Sequence, residues 1–239
     1  MSDICVLYAS SIPIEDDRDL SRNRQPWMFR QSLARFGIPA KNITLGLVFS
    51  HDAKQTWPHL LKTIGEIERD TIVLLTDAWD TFFCCGLDEI REKFLAFQRD
   101  IVFSMETNLF PVEVTRFGPI PPSPTSWRFI NGGQIIGRAG ALYNLFTRPD
   151  FWRRGECWCN QEAYNRWWIL HPDATDFALD FHCQIFCAIW GGGQNAIRVR
   201  HHKDVRRLYN TETDSYPCSI HGNGAHAIEA SNFWRLMND

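Results

Sequence analysis

The sequence predicts an α/β fold in which a mostly parallel central sheet is flanked by helices, and three observations carry that prediction. Across the first hundred residues, short apolar runs alternate with helical stretches three times over, the order that builds strand-helix-strand units. One run, Ile72-Val73-Leu74-Leu75-Thr76, is uncharged throughout, as a strand buried on both faces must be. It breaks off into Asp77-Ala78-Trp79-Asp80, two carboxylates three positions apart at a strand end, where ligands collect in such sheets.

Taken in order, residues 4 to 10 read as the first strand and the charged stretch from Ile14 to Arg24 as a loop. Trp27, Phe29, Leu33 and Phe36 fall at helical spacing, and Gly37 closes that helix. Ile43 to Phe49 is a second strand candidate. Trp57, Leu60, Leu61, Ile64 and Ile67 form an apolar helical stripe that packs on the sheet. After the strand carrying Asp77 come a helix over Leu87 to Phe97 and a strand over Ile101 to Met105. Pro119, Pro121, Pro122 and Pro124 mark a loop rather than a linker, because the apolar segment Trp127 to Ile136 resumes at once. An aromatic-rich helix near Gln161 to Leu170, a segment from Leu179 to Trp190 and a final strand approaching His221 complete the chain. The glycines at 191 to 193 read as a plain turn, since no Gly-Lys-Ser/Thr follows them.

At 239 residues and 44% hydrophobic content, the chain can bury one sizeable core. A formal charge of -3, from 25 basic and 28 acidic residues, argues against a nucleic-acid or membrane-surface binder. The basic cluster from Arg198 to Arg207 reads as a solvated surface segment. Met1-Ser2-Asp3 lead straight into the first strand without a basic or long apolar leader, and no eighteen apolar residues run together, so the expectation is a cytoplasmic protein without a membrane span. The eight cysteines match no two-plus-two zinc spacing and read as reduced, buried small hydrophobes. His182, Cys183 and Cys187 stay open as a metal set, although no fourth ligand stands nearby.

Two carboxylates at a strand end can hold a divalent cation against a phosphate. Taken alone, Asp77 and Asp80 are equally well a helix cap beside a solvated acid.

Six blocks follow one another from Lys54 onward. They are Lys54-Gln55-Thr56-Trp57; Thr76-Asp77-Ala78-Trp79-Asp80; Phe103-Ser104-Met105-Glu106 with Pro111; Arg128-Phe129-Ile130-Asn131-Gly132-Gly133 leading to Ile136-Gly137; Leu179-Asp180 with Ile185-Phe186; and His221-Gly222-Asn223-Gly224. In that order, over about 170 residues, the chain resembles the glycosyltransferase domain of the procollagen lysyl hydroxylase family. The resemblance implies a GT-A type, Rossmann-like glycosyltransferase fold, a uridine diphosphate (UDP) sugar as donor and Mn²⁺. The implied reaction moves a hexose, glucose or galactose, to a hydroxyl of a protein or glycan acceptor. A single domain over 1–239 is expected, with a nucleotide-binding half to about residue 105 and a half from about 106 that completes the metal site and meets the acceptor.

Within that resemblance Asp77 and Asp80 match the metal-binding carboxylate pair and His221 the histidine that completes it. An imidazole ligand favours Mn²⁺ over Mg²⁺, which prefers an all-oxygen shell. Asp77, Lys54, Trp57 and Trp79 would surround the donor, with core packing an open alternative for Trp57. Gly222 and Gly224 would let the backbone around Asn223 approach a phosphate. Ser10, at the end of the first strand, would receive the base or ribose. Glu106, Asn131, Asn160 and Gln161 would stand at the donor sugar as catalytic candidates.

Two departures stand out. The family has consecutive aspartates before its glutamine, whereas this chain reads Cys157-Trp158-Cys159-Asn160-Gln161-Glu162. Neither Cys159 nor Asn160 supplies a carboxylate, although Asn160 can still hydrogen-bond a sugar hydroxyl and Glu162 is an alternative acid. Phe110 replaces a tryptophan in the loop over the site. A catalytically weak or inactive relative that binds nucleotide sugar or glycan is therefore the alternative reading.

Overall fold

The computed structural model describes residues 4–9, 27–43, 53–151, 157, 159–224 and 226–238. Strand β1 (Ile4–Ala9) is followed by α1 (Trp27–Phe36) and by β2 (Ala40–Asn42), which pairs with β1 in parallel. Helix α2 (Ala53–Gly65) leads to β3 (Ile72–Asp77), parallel to β1 on its other side. Then come β4 (Thr81–Phe83), α3 (Leu87–Ala96), β5 (Ile101–Glu106), β6 (Phe129–Arg138), α4 (Ala139–Thr147), α5 (Asn160–Leu170) and β7 (Ala178–Leu179). The C-terminal part holds β8 (Phe186–Ala188), the hairpin of β9 (Ile197–His202) and β10 (Val205–Asn210), β11 (Ser219–His221) and α6 (Ala227–Asn238). The six-stranded sheet has the order β2-β1-β3-β6-β5-β7, and a small sheet the order β4-β11-β8.

Strand β3 shows why the main sheet is a sandwich filling. Val73 and Leu75 join a core with Ile64 of α2 and Leu142 of α4, while Ile72 and Leu74 join a second core with Phe29 of α1 and Ile90 of α3. Period-two alternation thus sends apolar side chains to both faces, each worth about 1.5–3 kcal/mol when fully buried. A charge anywhere in this run would have no water to face, and none occurs before Asp77.

The sheet is mostly parallel, as predicted, and its one antiparallel strand lies in the middle. β6 runs antiparallel to both neighbours and separates β3 from β5, with Leu74 opposite Ile136 and Val102 opposite Ile136 on the other side. Alternation of strand and helix shows that units are parallel, but does not reveal that a later strand enters between them. A short strand lies at Ala40–Asn42 and Ile43 is a bend; the rest of the candidate Ile43 to Phe49 falls outside the described residues, as does the loop from Ile14 to Arg24. The glycines at 191–193 sit in a short 3-10 stretch, Trp190–Ala196, with Gly191 and Gly192 at positive φ.

All eight cysteines are free thiols, and all but Cys5 are buried. His182 is exposed while Cys183 and Cys187 are buried, so these three do not form one ligand set. Cys85, Glu89 and Cys218 converge instead, but Arg207 already grips the Glu89 carboxylate at 2.9 and 3.0 Å and Lys93 adds a contact at 2.9 Å. Among the described residues no helix is long and apolar enough to cross a membrane.

Candidate functional site

The antiparallel entry of β6 builds the site. Because Thr76 lies opposite Gln134 and Glu106 opposite Phe129, the first half of β6 reaches the C-terminal ends of β3 and β5. Asp77, Glu106 and the stretch Asn131-Gly132-Gly133 therefore share one edge of the sheet. His221 arrives from elsewhere: β11 pairs antiparallel with β4, His221 opposite Thr81, and the Gly222 N–H donates to the Asp80 carbonyl at 2.7 Å. The three buried residues of β4 thus hold the second aspartate beside the imidazole.

His221 Nε2 stands 3.1 Å from Asp80 Oδ1 and 3.8 Å from Asp77 Oδ2, and one ligand atom from each of the three residues lies within 4.8 Å of the others. The far ring nitrogen is held as well: Nδ1 contacts Asn131 Oδ1 at 2.9 Å, and the Gly133 N–H donates to the same atom at 3.0 Å. That atom is thereby an acceptor, so Nδ1 carries a proton and the Nε2 side turns to the carboxylates. Burial alone would lower the His221 pKa, but Asp80 and then Asp77 outweigh it and hold it at about 9. The Asp77 carboxyl is pushed up to about 7, chiefly by burial, while His221 pulls it down and Asp80 pushes it up. With 43% of its side-chain area exposed, Asp77 still meets solvent, which tempers that push.

Gly133 leaves the space these groups need. A Cβ there would fall 2.9 Å from Asp77 Oδ2 and closer still to the His221 ring. Two carboxylates, a fixed imidazole nitrogen and a side-chain-free floor are a donor set that fits a divalent transition cation.

The other flank keeps its acids buried and bonded. Glu106 is fully buried and accepts hydrogen bonds from the side-chain amides of Gln161 and Asn223. Burial raises its pKa to about 7, against the opposing pull of Asn223, His221, Gln161 and Asn131. Helix α5 is stitched to β6: the Gly132 N–H donates to Gln161 Oε1 at 2.9 Å, Asn160 Nδ2 donates to the Gly132 carbonyl at 2.9 Å, and Asn165 exchanges bonds with both backbone groups of Ile130 at 3.0 and 2.8 Å. Cys159 caps the helix, its sulfur accepting from the Glu162 N–H at 3.4 Å, and burial pushes its thiol up to about 11, so the cap is uncharged at neutral pH. Glu162 is fully buried and paired with Arg116 at 2.7 Å, which removes it as a replacement acid.

Asp77, Asp80, His221, Glu106, Asn131, Asn160, Gln161 and Asn223 thus come together. Trp79 is half-buried between the two aspartates in sequence. Ser10 lies outside the described residues, and Lys54 falls in the first turn of α2 with its side chain likewise outside them. Trp57 is placed in the core, its ring 4.9 Å from Phe146 and 6.3 Å from Phe151. Its indole packs α2 against α4, as the core alternative holds, rather than facing the cleft. The glycines around Asn223 also differ from expectation. The Gly222 N–H is taken by Asp80, and a Cβ at this position would collide with Ala230 at 2.6 Å, so Gly222 admits α6 rather than a phosphate. Gly224 adopts φ +68° with the Trp190 ring 3.0 Å from where a Cβ would be.

Asn165 escaped the sequence reading, although it lies one helical turn beyond Gln161. So did the buried chain from Ser219 through Gln134 to Thr76, at 3.2 and 3.1 Å, which ties β11 to β3 beneath the ligands. Isolated polar residues in apolar strands were the available signal.

Comparison with known proteins agrees with this geometry. A family profile described as the PLOD GT domain matches residues 54–237. Procollagen-lysine,2-oxoglutarate 5-dioxygenase 1 of Mus musculus is 27% identical over 165 residues, which cover 68% of this chain and 22% of that protein. Uncharacterized protein R699 of Acanthamoeba polyphaga mimivirus is 25% identical over 167 residues, covering 69% of this chain and 34% of that protein. The chain therefore spans about a fifth of the length of the procollagen-lysine dioxygenases it matches. Among solved structures, the galactosyltransferase LgtC in complex with donor and acceptor sugar analogues aligns over 98% of this chain and 96% of its own, with a TM-score of 0.52 at 10% identity. That likeness establishes the GT-A glycosyltransferase fold.

Proposed function

The chain belongs to the PLOD GT domain family, and from that premise we propose that this glycosyltransferase-type domain is a Mn²⁺-dependent hexosyltransferase, moving glucose or galactose from a UDP-sugar to a hydroxyl of a protein or glycan acceptor. The observation that carries the proposal is the convergence of Asp77, Asp80 and His221 from β3, the start of β4 and β11 at the open end of the sheet. Those three residues would hold the cation, whose chemistry when bound is to neutralise charge building on the departing diphosphate. The rest is done by the chain. Asn131 keeps Nδ1 of His221 protonated and its Nε2 aimed at the carboxylates. Glu106 accepts from the side-chain amides of Gln161 and Asn223 and so orients both. Asn160, at the first turn of α5 beside Gly132, would hydrogen-bond a hydroxyl of the donor sugar. Eight free cysteines support cytoplasmic residence as part of the same proposal.

A second reading has its own observation in favour. With Cys159 a neutral cap, Asn160 an amide and Glu162 held by Arg116, the start of α5 offers no free carboxylate to the donor sugar. A protein that binds nucleotide sugar or glycan with little or no turnover fits that flank.

Release of UDP from a panel of UDP-sugars with Mn²⁺, with and without saccharide and peptide hydroxyl acceptors, separates the two. Release that disappears in Asp80→Ala supports the transferase. Donor binding without release under any condition supports the binding protein.

A further inference from the structure

The β9–β10 hairpin carries the basic cluster of the chain, and the cleft makes no use of it. An open groove of about 440 Å³ lies beside the hairpin. Five consecutive residues of β9, Ile197 to His201, form one wall; Phe233 and Leu236 of α6 face them, with Arg206 of β10 alongside. Successive side chains of a strand point to opposite faces. A wall made of five in a row is therefore the backbone edge of β9. Among the described residues β9 pairs with β10 alone, so its far edge presents N–H and C=O groups without a strand partner.

The charges along this edge are poised for something acidic. Arg198 rests on the carbonyls of Asn195 and Ile197 at 2.8 and 2.7 Å, Arg206 on the carbonyl of Leu236 at 3.3 Å, and Arg200 lies 3.8 Å over the ring of Tyr209. All three are exposed, and among the described residues none meets a carboxylate. Leu236 on the opposite wall is 51% exposed, a large apolar side chain facing the groove beside fixed cations.

We propose that the free edge of β9 is a docking site for an extended acidic segment of a partner protein, which adds to the hairpin as a third strand. Its backbone would pair with β9, its apolar side chains would lie on Phe233 and Leu236, and its carboxylates would meet Arg198 and Arg200 on the opposite face. The charge also works as a filter. Two copies of this edge repel each other, so the arginines that deter self-pairing leave the edge open to a segment of opposite sign. A sulfated polysaccharide would satisfy the arginines but neither the backbone groups nor the apolar wall. This inference is independent of whether the cleft transfers sugar.

The test is fluorescence anisotropy of a labelled decapeptide alternating glutamate and valine, titrated with the full chain. Saturable binding that weakens about tenfold between roughly 50 and 200 mM salt is expected, with a further loss of about tenfold in the Arg198→Glu/Arg200→Glu double variant. Two N-methylated peptides, one blocked on the glutamate amides and one on the valine amides, sharpen the test on the unaltered protein. One should lose binding and the other keep it, because only alternate amides face the neighbouring strand. No binding, equal binding by both methylated peptides, or displacement by a sulfated polysaccharide while both still bind, would overturn the proposal.

Discussion

On the β11 side of the cleft three ionisable groups face one another across a few ångströms, whereas on the α5 side Asn160, Gln161 and Asn165 are already matched, donor to acceptor, with β6. The first flank is costly to keep without a counter-ion, because two carboxylates share one imidazole. The second is stable as it stands and holds its charges inward, Glu106 under two amides and Glu162 under Arg116. Holding a donor and acting on its sugar are therefore tasks of separate surfaces in this chain, and substitutions can reach one without the other.

The largest separation should come from Gly133→Ala. The new methyl would push His221 away from Asp77, and Mn²⁺ affinity measured by titration calorimetry should fall by about 100-fold or more, with the α5 bonds intact. An unchanged affinity would mean that Gly133 is not the floor of the cation site. Asn165→Ala should do the reverse. It strands both backbone groups of Ile130 in the core and should lower unfolding free energy by roughly 2–3 kcal/mol in a urea titration, while Mn²⁺ affinity stays within about twofold.

The comparison also has a pH signature. The cation must displace the proton held on His221 up to about 9, so affinity should rise with pH by about tenfold per unit between 7 and 9, and more steeply below about 7 where Asp77 takes up a proton. In the metal-free protein the sign is opposite: stabilisation from protonated His221 is complete below its ordinary 6.5 and is lost as pH rises through about 9. A flat affinity profile would contradict the ion-paired imidazole. Asn160→Asp should have the smallest effect on metal binding, within about twofold, yet should raise UDP release several-fold if the missing acid limits turnover. Unaltered release would separate turnover from charge at that position.

Much of this was legible in the sequence because it rests on local pattern. The uncharged run into Asp77, the α1 and α2 stripes and the ordered blocks need only spacing to be read. The position of β6 was not legible, since its order in the sheet depends on pairing across long separations that periodicity does not encode. Trp57 and the glycines around Asn223 show a subtler limit. Residue type in a matching block indicates that an indole or a bare Cα is required, but not whether the neighbour requiring it is a ligand, Phe151 or Ala230. Neither could the sequence show that Glu162 has Arg116 as its partner.

The pairing of β4 with β11 joins a turn near the first third of the chain to a strand near its end. During synthesis both aspartates leave the ribosome long before the histidine, so affinity for the cation arises only when β11 docks. Ligation is then a late event relative to β3: in refolding, added Mn²⁺ should leave early phases unaltered and slow unfolding once β11 has closed, acting as a latch between the two.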